Sequence, residues 1–355
     1  MSSFLRTTWS PIVGGLTLSI LIVFLGFYGI QLNIIDSLKS LDFIVISIIG
    51  GAFISSCFSQ DFGIKIPPKI EILKAIFAGI FMGVGSVLSL GDNIGGFYTA
   101  SSNLSASGLS MFIGLFLGTL AGLKYLIWEA EKFPSKGGFN IYIKKLSFLA
   151  GLVVLLIFLW KGLKYFLEGS KESYTKGIIL ILSVLAGFIF HRSKLCMAKA
   201  MREPFISGES SMTRAFAISL FITVPVIAYL KFAKFINPDF GISSAFIISS
   251  LIGGILFGLG MVLADSCALS MLWKLSEGQI KLLIVGLFFI LGNSVAERYL
   301  AKLQGFLEDR YLIKNIFLPE YLTYSGAVFL IIGVIFIWLV FAEWSRKTKK
   351  FVIKV

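Results

Sequence analysis

GIFMGVGSVLSLGDNIG (residues 79–95) and GILFGLGMVLADSCALS (residues 254–270) are two versions of one segment. Superposed without a gap, Gly79, Gly83 and Gly85 fall on Gly254, Gly258 and Gly260, and Asp92 falls on Cys267. Each copy is a glycine-rich apolar run that gives way to a short polar stretch at a depth where lipid demands apolar residues. Broken hydrophobic segments at corresponding positions of two halves point to the substrate path of a transporter. Transporter or channel is therefore the starting hypothesis.

The rest of the chain agrees with a membrane setting. Of 355 residues, 57% are hydrophobic and 14% charged, with a mean hydropathy of +0.90. A soluble domain could not cover that much apolar surface. The apolar runs are continuous rather than alternating, which excludes a transmembrane β-barrel and leaves helices, whose backbone groups satisfy one another in lipid. Candidate spans are Pro11–Leu32, Phe43–Phe58, Ala75–Leu90, Leu109–Trp128, Leu146–Trp160, Gly177–Phe190, Ala215–Tyr229, Ala245–Ala264, Leu282–Ser294 and Leu322–Phe341. The expected fold is an all-α integral membrane protein of about nine or ten hydrophobic segments, in two pseudo-symmetric halves with broken or re-entrant helices. The first segment is too long for a secretory signal and lacks a small-x-small cleavage site, so it reads as a retained helix.

Residues 1–355 read as a single transmembrane domain, with a first repeat at 41–128 and a second at 176–300. The hinge falls at Glu129–Lys145 or Lys161–Lys176, and the second half carries an additional apolar segment at Ala215–Tyr229. The net charge of +13 would suggest nucleic acid in a soluble chain; here Lys and Arg flank the spans and meet anionic headgroups, so no nucleic acid is expected. Residues 345–355 form a basic tail with Arg346, Lys347, Lys349, Lys350 and Lys354, which the positive-inside rule places in the cytoplasm.

Few residues can carry chemistry. Cys57, Cys196 and Cys267 form no CxxC pair, which argues against a disulfide framework or a zinc site, and a single histidine, His191, excludes a multi-histidine metal centre. No metal or cofactor is expected, and without a GxxxxGK[ST] run no ATP hydrolysis. Cys196 and Cys267 each sit in a polar interruption after an apolar run. Asp92, Asn93, Asp265 and Ser266 lie in the matching breaks, and intramembrane ionisable groups are functional candidates. Arg192, Lys199 and Arg202 either mark the membrane boundary or attract anions to a pore mouth. Gly79, Gly83, Gly254 and Gly258 read as helix-packing glycines. Gly91, Gly95 and Gly96 sit where the helix should break, and permit positive φ or close approach to a ligand.

At these residues the chain resembles a known family. HRSKLCMAKAMR (191–202), followed by Gly253–Cys267, is similar to the two signature motifs of the YeeE/YedE-type sulfur transport family. LGDNIGGF in the first half and DSCALSMLWKLSEG in the second point to its YedE-like branch, and the resemblance covers roughly residues 45–300. It implies a prokaryotic inner-membrane permease with an hourglass-like interior. The cargo would be a small sulfur-containing anion, thiosulfate above all, passed between thiols through transient S–H···S contacts. By motif, Cys196 and Cys267 would be relay thiols, with Cys57 a third candidate whose flanks match no signature closely. A soluble cytoplasmic sulfur-carrier protein is a candidate partner.

The chain departs from the family pattern at Asp92, where a cysteine is common. A carboxylate offers no soft contact, and it repels a dianion by about 4 kcal/mol per charge pair at 4 Å with an effective dielectric near 20. Asp92 must point away, be neutralised, or signal another substrate. A selenium or other reduced-sulfur species is the second reading. The third is a membrane sulfurtransferase using Cys196 as nucleophile, set against the expectation of no enzymatic activity.

Overall fold

The computed structural model describes residues 7–132, 139–142, 144–242, 247–310, 316–350 and 352. Parts of the expected hinge (133–138 and 143) and of the basic tail (351 and 353–355) lie outside them.

The chain is an all-α membrane protein. Among the described residues, eight helices are long and apolar enough to cross a bilayer, and Pro11–Phe27 and Phe43–Ser59 are shorter apolar helices. α1 (Pro11–Phe27) is followed by the short α2 (Ile34–Lys39), and α3 (Phe43–Ser59) returns across the membrane. α4 (Lys69–Leu88) breaks before α5, a wide π-type turn at Asn93–Thr99 that runs on as Ala100–Ser102; α6 (Ala106–Lys132) follows. After α7 (Lys144–Leu167) the same order recurs. α8 (Lys171–Ser193) breaks into α9 (Met197–Ile206), α10 (Ser211–Phe232) returns, α11 (Ile247–Ala264) breaks into α12 (Ala268–Leu275), and α13 (Ile280–Arg310) follows. α14 (Leu318–Thr348) ends the fold. One addition to the expected helices is a two-stranded antiparallel ribbon, β1 (Gly63–Ile66) with β2 (Phe139–Tyr142).

The packing is symmetric under exchange. α1 packs on α10 and α3 on α8; α4 packs on α13 and α6 on α11. Swapping α1 with α8, α3 with α10, α4 with α11 and α6 with α13 leaves this set unchanged. The exchange takes in α1 and α2, upstream of residue 41, and pairs the Ala215–Tyr229 segment with α3. Direction follows from glycine contacts. Gly85 lies against Gly253 while Gly260 lies against Ala78, so α4 and α11 run antiparallel. Likewise the start of α1 meets the end of α8, Trp9 N–H donating to Arg192 O at 3.0 Å. Helices that exchange therefore point in opposite senses, as in inverted-topology transporters.

Glycine makes these contacts because a lipid solvent gives helices little hydrophobic reason to associate, leaving close backbone packing to hold them. A Cβ on Gly79 would sit 2.6 Å from Val285 O, and one on Gly258 2.5 Å from Leu115 O. The outer faces are lipid-like: Leu149, Val153, Leu156 and Trp160 of α7 and Phe329, Phe336 and Ile337 of α14 are exposed.

Three helix breaks share one backbone design. Leu90, Lys194 and Asp265 take left-handed φ values of 49°, 51° and 57°. Two residues later, Asp92, Cys196 and Cys267 are extended and stand at the N-cap position of the next helix, where Asp92 and Cys267 accept its first N–H groups. A left-handed non-glycine residue costs about 1–2 kcal/mol, so each break is held by the packing around it.

Candidate functional site

Two thiols meet where α9 and α12 begin. Cys267 caps α12 reciprocally with Ser270: its N–H donates to Ser270 Oγ at 2.9 Å, and its Sγ accepts the Ser270 N–H at 3.4 Å. The Ser270 hydroxyl also reaches both sulfurs, 3.1 Å from Cys196 Sγ and 3.3 Å from Cys267 Sγ. One hydroxyl hydrogen can serve only one of them at a time. Cys267 Sγ further accepts the Met197 N–H, the first of α9, at 3.3 Å. Cys196 and Cys267, linked through the Ser270 hydroxyl, are free thiols, 3% and 0% exposed.

The other pair of re-entrant helices has the same plan with hard atoms in place of sulfur. Asp92 Oδ1 accepts the N–H groups of Ile94 (2.7 Å) and Gly95 (3.2 Å) at the start of α5. Its Oδ2 accepts Ile35 N–H at 3.0 Å, at the start of α2. Asp92 thus caps two helices, as the Cys267 sulfur serves α12 and α9. The two systems touch at their tips, where Ala268 N–H donates to Asn93 Oδ1 at 3.1 Å. Asn93 is fully buried, and its Nδ2 has no hydrogen-bond partner among the described residues.

A cavity of about 510 Å³ opens beside Cys196. Lys65, Lys194, Lys199, Arg202 and Lys274 line it against Asp61, Asp265 and Glu277, so the mouth is net positive and favours anions. Asp265 pairs with Arg202, and with Lys274 at 3.3 Å. Lys199 is half-exposed, 3.4 Å from Glu203. Arg192 is buried, donating to Thr7 O and lying 3.9 Å from Asp61. His191 binds Ser55 Oγ at 2.9 Å and Glu277 at 3.3 Å, and Trp273 donates to Leu195 O at 2.9 Å behind Cys196.

Burial would raise the Glu277 carboxyl, but the His191 hydrogen bond and the Lys194 and Lys65 ammoniums prevail and hold it well below the ordinary carboxylate range. Asp61, His191 and Glu277 could together hold a metal ion. Lys194 already supplies the positive charge there, bonded to Glu277 and 3.2 Å from His191 Nε2.

Other residues singled out from the sequence fall as follows. Cys57 is buried under α7, its Cβ 2.6 Å from where a Cβ on Gly151 would sit, and is not brought to the thiol pair. Ser266 Oγ bonds Ser270 Oγ at 2.8 Å. Gly91 lies in the break, whereas Gly95 and Gly96 lie inside the π-type turn. Their missing side chains admit Asn33 and Met111 rather than a ligand; a Cβ would sit 3.0 Å from Asn33 Cγ and 2.7 Å from Met111 Sδ. Sequence reasoning missed Ser270, Glu277, Lys274 and Asn33. Only Ser270 had a local signal, three residues after Cys267 in the spacing of a capping box.

A family model described as sulphur transport matches residues 30–121 and 192–353. The probable transporter YedE of Escherichia coli K12 is 24% identical over 72% of this chain, and the match spans 64% of that relative, under two-thirds of its length. YedE of Salmonella typhimurium is 23% identical over 81% of the chain and 75% of the relative. The thiosulfate transporter TsuA of Escherichia coli K12 is 31% identical over 28% of each chain. The chain belongs to the sulphur transport family.

Proposed function

We propose that this member of the sulphur transport family carries a small sulfur-containing anion, thiosulfate foremost, along a path between the starts of α9 and α12. The observation that carries the reading is the Ser270 hydroxyl poised between Cys196 and Cys267. Helix starts present free N–H groups and positive dipole ends, which suit an anion. Thiols suit the terminal sulfur of thiosulfate, because S–H is a weak donor and sulfur a soft contact. Each thiol holds the anion briefly, Ser270 turning to whichever sulfur is left without its contact, and the net positive mouth draws the anion onward out of the path. No covalent bond to the cargo is needed, and His191, the sole histidine, is committed to Ser55 and Glu277 rather than to either thiol.

Asp92 acts in this reading as a cap rather than a relay. Its charge is met by the N–H groups of two helix starts, which offsets the repulsion a bare carboxylate would exert. The relay then uses two thiols, without Cys57.

The end of α14 lies on the thiol side: Ser345 donates to Pro204 O at 2.6 Å, and Glu343 pairs with Arg214. With Arg346 and Lys347 beside it, this side is assigned to the cytoplasm of a prokaryotic inner membrane. A soluble sulfur carrier would collect the anion at that mouth. The test is uptake of labelled thiosulfate by the purified protein in liposomes. Cys267→Ser should abolish uptake in a protein that still folds; undiminished uptake rejects the relay.

A further inference from the structure

The face opposite the thiols has the reverse chemistry. A cavity of about 280 Å³ lies there between α2, the end of α4 and α13, lined by Asn33, Asp36, Ser86, Gly91, Asn293 and Glu297 among others. Asn293 is 4% exposed; its Nδ2 donates to Ser86 Oγ at 2.7 Å, and its Oδ1 has no partner among the described residues. Asn33 repeats the arrangement, Nδ2 donating to Asp36 Oδ2 at 2.7 Å while its buried Oδ1 has no partner among the described residues. Two residues whose amide oxygens lack a partner among the described residues thus line one cavity.

The charges differ in the same sense. Three residues into α9 from its cap stands Lys199; three residues into α2 from Asn33 stands Asp36. On the thiol face, the Lys274 ammonium donates to Asp265 O at the end of α11. In the register of the two copies, Lys274 corresponds to Thr99, which has no charge to offer the end of α4. Carbonyl-rich helix ends bordering a cavity suit cations. Asp36 and Glu297 against Lys39, which pairs with Glu297 at 2.7 Å, leave one negative charge.

We propose that this cavity binds a monovalent alkali cation, Na⁺ by class, through the Asn33 and Asn293 amide oxygens and the Asp36 carboxylate. Hard oxygen donors select such ions, and the single net charge matches one positive charge. The site stands whether or not the thiol path carries thiosulfate. If it does, the cation offsets part of the anion's charge from the opposite face.

The test uses the full-length protein in detergent, without thiosulfate. Its melting temperature is followed in NaCl and in N-methyl-D-glucamine chloride at equal ionic strength. NaCl should raise it by on the order of 2 °C and saturate. Asp36→Asn and Asn293→Leu should abolish the rise, and Cys267→Ser should keep it. Asp36 is exposed, so its variant should fold even if Asn293→Leu does not. Equal melting in the two salts, or a rise that survives Asp36→Asn, overturns the proposal. A larger rise with CaCl₂ than with NaCl overturns the monovalent assignment.

Discussion

The Asn93 carboxamide oxygen accepts the Ala268 backbone N–H at 3.1 Å, joining the first residue of one re-entrant helix to the first residue of its counterpart. Both residues are fully buried, so water cannot replace this bond. It is the point at which the thiol system and the carboxylate system meet.

Asn93→Leu keeps the approximate volume and removes the acceptor, leaving the Ala268 N–H unpaired. A buried unsatisfied donor costs about 1–3 kcal/mol. The variant should melt earlier than the parent in a thermal unfolding assay. Equal melting of the leucine variant and the parent would show that the tip contact holds nothing.

Ser270→Ala removes the one hydroxyl shared by the two thiols. A hydrogen bond of about 1–1.5 kcal/mol corresponds to a roughly tenfold effect, so initial thiosulfate uptake should fall by about that factor. Ser270→Thr keeps the hydroxyl and should retain most of the activity. Alanine and parent rates that coincide in liposomes would remove Ser270 from the path.

Glu277 gives a pH signature. Its folded carboxyl lies below the ordinary value, so its contribution to stability is fully present above about pH 4.3 and is lost as pH falls through the depressed value. Glu277→Gln should therefore be less stable than the parent at neutral pH, and the gap should narrow in acid. Melting curves with a gap that stays constant down to pH 3 would contradict the ion-pair assignment.

Gly258→Leu drives a side chain into the Leu115 carbonyl, where a Cβ already sits at 2.5 Å. Backbone cannot yield as a side chain does, and overpacking costs about 1–3 kcal/mol or more. The variant should elute as aggregate in size-exclusion chromatography. Gly333→Leu, at a position with nothing within 4 Å, should elute like the parent.

Much of the scaffold was legible because lipid imposes its rules locally. The ten apolar segments, the helix breaks before Asp92 and Cys267, and the packing role of Gly79 and Gly258 all follow from composition and spacing along a continuous stretch. The site was only half legible. Cys196 and Cys267 stood out as thiols in polar interruptions, but Glu277 and Lys274 looked like ordinary boundary charges. Asn33 lies in an unremarkable turn, and nothing near it signals that it stands to Asp92 as Cys196 stands to Cys267. Gly95 and Gly96 were misjudged for a related reason: a missing side chain shows that something comes close, not whether it is ligand or protein.

The sequence by itself determined that this chain lives in a membrane as helices and where those helices break, since backbone hydrogen bonding in lipid is settled within each segment. Tertiary structure alone decided that the halves are inverted, that one Ser270 hydroxyl joins two thiols seventy-one residues apart, and that Asp92 spends its charge on two helix starts. Those outcomes depend on which glycine faces meet, and a contact between faces is a property of two helices together, written in neither one alone.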